Sequence, residues 1–182
     1  MSAKTVFILG AGASKPYGYP TGKELRKSIC ELHENRYFVD RAPDALTFCE
    51  RFKNSSIESI DLFLTRNPHY EQIGKFAIAL CISGKERLSK FREDMEHNDQ
   101  DWYTFIFNKL LGNGIAQDSY TNFNVSDFAF ITFNYDRSFE YFIEESLINS
   151  FTEIEPEKIR EHLRKLKIWH CTSSKGFGQK FV

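Results

Sequence analysis

The chain has 182 residues, enough for one domain with a sizeable core, and a net charge of −1, which gives no general attraction to nucleic acid or to an anionic membrane. No apolar run approaches a membrane span, the N-terminus lacks the basic and apolar regions of a signal peptide, and the expected location is the cytoplasm. The four cysteines, Cys30, Cys49, Cys81 and Cys171, lie far apart with no C-x-x-C pair. That spacing excludes a zinc ribbon, argues against a disulfide framework and leads us to expect buried reduced thiols and no metal.

The first predicted element is a buried strand, Thr5–Leu9, which breaks into Gly10-Ala11-Gly12-Ala13-Ser14 and then Gly18-Tyr19-Pro20-Thr21-Gly22. A strand ending in glycines and re-entering a helix is how α/β proteins hold a nucleotide phosphate. Gly10 is expected to supply the tight turn and Gly12 to let the backbone approach an anion, with the next helix aiming its N–H groups at it. Thr21, with Glu24 in capping-box position, opens a helix through about Glu34, with Leu25, Ile29 and Leu32 on one face. A second helix is expected from about Pro43 to Phe52, placing Leu46, Cys49 and Phe52 together.

A short helix is expected over Ser56–Leu64, with Ser56 as its cap and Ser59 as a second cap; helical periodicity then runs from about Tyr70 to Glu96, broken only at Ser83-Gly84. Its first half is apolar (Ile73, Phe76, Ala77, Leu80) and its second half charged. A further helix, Asp101–Leu111, closes on Gly112-Asn113-Gly114. The 18 Phe, most of them between Phe48 and Phe151, read as aromatic helix packing.

Phe128–Phe133 is the second strand, followed by helices over Ser138–Asn149 and from Pro156 to Leu166, and by a third strand at Ile168–Cys171. The expected architecture is therefore α/β: a Rossmann-like parallel sheet in one domain over 1–182, with a large helical insertion over about 35–114 and an irregular tail at 175–182. In such a sheet ligands bind at the carboxyl ends of strands. Three polar sites stand there: Gly10 to Ser14, Asn134 with Asp136, and His170. Asn134 and Asp136 alone are ordinary helix-start residues; with the glycine turn at a second strand end, a nucleotide pocket is the preferred reading.

Gly10-Ala11-Gly12-Ala13-Ser14, Gly18-x-Pro20-x-Gly22-x-x-Leu25, and Thr132-x-Asn134-Tyr135-Asp136 followed by Glu140 resemble the sirtuin-like fold, closest to its NAD-hydrolysing prokaryotic defence branch. Ser59-Ile60-Asp61-x-Phe63-Leu64 is similar to a segment of that branch's helical insertion. The resemblance implies an NAD+ glycohydrolase of antiphage defence, with NAD+ as substrate, and Pro20 and Thr21 beside the phosphate loop. Backbone N–H groups of Ala11 to Ser14 would cradle the pyrophosphate. Asn134 would bond the nicotinamide ribose and position the attacking water, Asp136 would hold the carboxamide, and a third-strand His would act as general base.

The family follows its third strand with His or Tyr, then Gly, then Ser; here His170 is followed by Cys171-Thr172-Ser173. His170 is thus either the catalytic residue or the strand residue before it, which would leave Thr172 in the catalytic place. The family also continues with strands that receive the adenosine half, so the sheet is expected to be incomplete and isolated turnover low or absent. An apolar sheet with an open edge then predicts a homo-oligomer or a partner protein. The alternative is a catalytically weak module that binds NAD or ADP-ribose, or a fragment completed by a partner. A deacylase lacks its four-cysteine zinc module here, and a dehydrogenase lacks the acidic ribose reader after a second strand.

Overall fold

The computed structural model describes residues 5–85, 101–111 and 128–171. In chain order the elements are β1 (Thr5–Leu9), α1 (Ala11–Ser14), α2 (Gly22–Glu31), α3 (Arg36–Arg41), α4 (Ala45–Asn54), α5 (Ile60–Arg66), α6 (Glu71–Ser83), α7 (Trp102–Leu111), β2 (Phe128–Thr132), α8 (Ser138–Ser150), α9 (Pro156–Leu163) and β3 (Lys167–His170). They form two compact units: a sheet unit of residues 5–16, 101–111 and 128–171, and a helical unit of residues 17–85. The fold is mostly helical with a small parallel sheet, an α/β arrangement.

In the sheet unit the strand order is β1-β2-β3, and both pairings are parallel. Leu9 lies opposite Thr132, which lies opposite His170, so all three strands end in the same row. Because side chains alternate across a strand, Phe7, Phe130 and Ile168 share one face with Leu9, Thr132 and His170. Helix α8 covers that face: Phe139 packs on Phe130 with ring centroids 4.6 Å apart, and Tyr103 of α7 meets the Phe139 ring edge-on at 5.2 Å. Phe130 and Ile143 are fully buried, each such side chain contributing about 1.5–3 kcal/mol of apolar burial. Helix α7, which sequence periodicity assigned to the helical insertion, thus packs in the sheet unit.

On the opposite face β1 differs from the buried strand expected at Thr5–Leu9. Val6 and Ile8 are 54% and 69% exposed, and Phe133 and Trp169 on the same face are 58% and 40% exposed. Helices α7 and α8 lie on the other face, where Leu9 is buried.

In the helical unit Thr21 caps α2 through a complete capping box: its hydroxyl accepts from the Glu24 N–H, and the Glu24 carboxylate accepts from the Thr21 N–H at 2.8 Å. The α-helix stops at Glu31 and a single 3-10 turn carries the chain to Glu34. Leu25, Ile29 and Leu32 are buried, as their spacing predicts. In α4 the buried stripe is Ala45, Phe48, Cys49 and Phe52, the i, i+3, i+4, i+7 pattern, and Leu46 falls off it and is exposed.

Asn35 caps α3, a helix the sequence analysis did not identify, by accepting from the Phe38 N–H at 3.0 Å. Ser59, not Ser56, caps α5; Ser56 instead takes a left-handed φ of 56°. Arg26 donates to the carbonyls of Phe52, Lys53 and Ile57, satisfying the open end of α4. Rings of Phe48, Phe52, Phe63 and Tyr70 form the aromatic cluster of this unit. The charged half of the 70–96 stretch and the closing glycines at 112–114 lie outside the described residues, as does the 175–182 tail.

Candidate functional site

The row of strand ends is extended by one more ladder step, with Phe133 N–H donating to Leu9 O at 3.0 Å and Cys171 N–H to Thr132 O at 2.7 Å. The segments after β1, β2 and β3 therefore leave the sheet side by side. After β1 the chain forms α1, a single turn in which Ala13 N–H donates to Gly10 O at 2.8 Å. Gly10 has φ −114°, an ordinary extended value, so it does not supply a turn that only glycine could make. The left-handed glycine is Gly18, at φ 82°. With one turn of helix after Gly10, few aligned peptides stand behind the loop and little dipole is available. What glycine leaves at 10 and 12 is room: a Cβ built on either residue would meet no atom within 4 Å.

The turn after β2 is anchored by Thr132, whose hydroxyl accepts from the Asn134 N–H at 3.1 Å. Asn134 is buried, and its side-chain Nδ2 donates to Ser14 Oγ at 3.3 Å; Ser14 in turn donates to Ala11 O at 3.3 Å. The glycine turn and the Asn-Tyr-Asp turn are thereby joined through side chains. Asn134 Oδ1 is buried and has no hydrogen-bond partner. An unmatched buried acceptor costs about 1–3 kcal/mol, so Asn134 Oδ1 lowers stability as it stands.

Asp136 faces the start of α8. Its Oδ1 accepts from the Ser138 N–H at 3.1 Å and from the Ser138 hydroxyl, and Ser138 Oγ pairs with the Tyr103 hydroxyl at 2.8 Å. Asp136 therefore does the work of a helix cap and ties α7 to α8.

His170 closes the row. Its Nε2 lies 2.7 Å from Glu140 Oε1 and its Nδ1 lies 3.3 Å from the backbone carbonyl oxygen of Asn134. The same Glu140 oxygen forms an ion pair with Arg137, Nε lying 2.9 Å away. Glu140 and His170 are largely shielded from solvent, whereas Arg137 is exposed. The Glu140 hydrogen bond raises the His170 pKa above its ordinary 6.5; burial opposes the shift, and Arg137 opposes it weakly.

The chain matches no protein-family model, no curated protein and no solved structure.

Of the residues singled out from sequence, Gly10 to Ser14, Asn134, Asp136 and His170 all belong to the sheet unit and stand at its strand ends. Pro20 and Thr21 belong to the helical unit, where the Thr21 side chain is engaged in the capping box. Thr172, the alternative to His170, lies outside the described residues. Sequence reasoning gave no role to Glu140 or Arg137, and did not identify the Ser14–Asn134 or Tyr103–Ser138 pairs. Glu140 was visible as an acidic residue in the first turn of a helix, where a carboxylate also suits the dipole; its partner on β3 carried no local signal. Among the described residues no group of three or more His, Cys, Asp or Glu is arranged to hold a metal, and no helix is long and apolar enough to cross a membrane.

Proposed function

We propose that this chain is a sirtuin-like NAD+ hydrolase on a Rossmann-like sheet, releasing nicotinamide, with antiphage defence as its setting. The reading starts from the resemblance carried by the glycine turn and the Thr132–Asp136 segment. The observation that carries it furthest is the buried, unpartnered Asn134 Oδ1 beside Ser14 of the glycine turn. A ribose hydroxyl, or a water poised on the ribose, is a donor of the kind that atom lacks. The open space over Gly10 and Gly12 supports close approach of a bulky anion such as a pyrophosphate to the backbone.

In this scheme water adds to C1′ of the nicotinamide ribose as the C1′–N bond breaks, yielding nicotinamide, ADP-ribose and one proton. Asn134 orients the sugar or the water. Asp136, whose Oδ1 serves Ser138, offers its second oxygen to the carboxamide. His170 takes a proton only after giving one up, because both of its ring nitrogens face acceptors.

That last observation also favours a second reading, a module that binds NAD or ADP-ribose without turning it over. Nicotinamide release by the purified chain, with Asn134→Ala as control and calorimetric titration of NAD+ and ADP-ribose alongside, separates the two. Release that Asn134→Ala abolishes supports the hydrolase. Binding without release supports the module, and neither binding nor release overturns both.

A further inference from the structure

Glu140 has no part in the scheme above, yet it is a buried ionisable group beside the strand ends, on the third residue of α8 with its side chain 7% exposed. A buried carboxylate is costly unless matched by charge and hydrogen bonds. Here two side-chain nitrogens converge on one oxygen: His170 Nε2 at 2.7 Å and Arg137 Nε at 2.9 Å.

The other side of the imidazole decides its protonation. His170 Nδ1 faces the carbonyl oxygen of Asn134, at 3.3 Å. A backbone carbonyl accepts and never donates, and a carboxylate does the same. A neutral imidazole carries one N–H and one lone pair, so either tautomer would aim a lone pair at an acceptor oxygen. Only the imidazolium satisfies both neighbours.

We propose that Glu140 is a positioning residue that holds His170 as an imidazolium across the ends of β2 and β3, so that the strand-end site carries a fixed cation near neutral pH and gains a proton acceptor only when His170 deprotonates. Among the described residues the charged groups acting on His170 are Glu140 on α8 and Arg137 at the N-cap of α8; the Asn134 carbonyl faces it from the turn after β2. Glu140 outweighs Arg137 because it hydrogen-bonds the ring directly, whereas Arg137 acts on it only through its charge and is itself ion-paired to the same carboxylate. For catalysis the inference rests on the hydrolase reading, in which it makes the rate rise with pH along a His170 limb. The protonation state itself does not depend on that reading.

The test is a pH titration of the histidine ring 15N–1H correlations in the full chain, where the His170 signal among those of five histidines is identified by its loss in His170→Gln. In the wild type we expect His170 to carry both ring protons and to titrate above the ordinary 6.5, and in Glu140→Gln to titrate lower than in the wild type. Glu140→Asp, which keeps the charge on a shorter arm, should fall between. In the NAD+ hydrolysis assay Glu140→Gln should move the acidic limb of kcat to lower pH with KM unchanged; a role confined to holding the fold would lower kcat by one factor at every pH.

A wild-type His170 that is a single neutral tautomer at pH 6.5, or a titration that Glu140→Gln leaves in place, overturns the proposal. The wild-type titration decides it even if both Glu140 variants fail to fold. Absence of NAD+ hydrolysis with the expected titration would overturn the hydrolase reading and leave the Glu140–His170 assignment standing.

Discussion

Asn134 and Ser14 meet side chain to side chain at 3.3 Å although 120 residues separate them in the chain. Ser14 ends the single turn after β1 and Asn134 sits in the turn after β2, so one hydrogen bond joins the two segments whose sequences carry the resemblance to an NAD-binding fold. The bond uses only the donor end of the amide. The acceptor end, Oδ1, is left buried and unmatched.

Asn134→Ala is therefore expected to separate stability from function. It removes one neutral hydrogen bond, about 1 kcal/mol, and at the same time an unsatisfied acceptor that costs about 1–3 kcal/mol, so the unfolding free energy should be unchanged or higher by up to about 2 kcal/mol. Nicotinamide release should be lost. Urea unfolding monitored by circular dichroism measures the first; a loss of several kcal/mol would mean that Asn134 is chiefly a structural residue.

Gly12→Ala should behave similarly for a different reason. The added methyl meets no atom within 4 Å, so the variant should be as stable as the wild type or more stable by up to about 1 kcal/mol. It would, however, fill the space left for a close-approaching anion. Expected is a raised KM for NAD+ with a thermal midpoint no lower than that of the wild type; an unchanged KM would show that the ligand approaches elsewhere.

Gly74 presents the reverse case. A Cβ there would run into the Leu64 side chain, where α5 and α6 cross. Overpacking costs about 1–3 kcal/mol, and the helix-propensity gain of alanine over glycine returns about 1, so Gly74→Ala should be net destabilising. In a Leu64→Ala background the clash is gone and the same substitution should become stabilising. A double-mutant cycle by thermal or urea unfolding reads this change of sign.

The His170 pKa gives stability a pH dependence with a definite sign. A histidine whose pKa is raised on folding contributes stabilisation that is fully present below the unfolded value, ordinarily 6.5, and is lost as pH rises through the folded value. The thermal midpoint of the wild type should therefore fall on going from pH 6.5 to alkaline pH by more than that of His170→Gln. Equal slopes would show that the Glu140 contact contributes no proton-linked stability.

Part of this site was legible locally. Thr21 and Glu24 announce their capping box within one turn, and the three apolar runs at Thr5–Leu9, Phe128–Phe133 and Ile168–Cys171 coincide with the three strands to within a residue or two. Leu46 shows where such reading stops: it lies close enough in sequence to Cys49 and Phe52 to suggest one face, yet the neighbours of α4 select Ala45, Phe48, Cys49 and Phe52 and leave Leu46 in solvent. Ser56 shows a second limit. A serine ahead of a helix reads as a cap, but Ser59 takes that place because its hydroxyl lies next to the first free N–H groups.

The sequence by itself determined which segments are strands, where glycine leaves the backbone bare, and which polar residues stand at strand ends, because propensity, capping and burial period act over a few neighbouring residues. Only the tertiary structure decided that Leu9, Thr132 and His170 share a row, that Ser14 binds Asn134, and that Glu140 holds His170. It also decided that one sheet face leaves Val6, Ile8, Phe133 and Trp169 exposed. These outcomes depend on strand register and helix placement across tens of residues. A shift of one residue in register would turn each of these side chains to the other face, so no local pattern could have specified them.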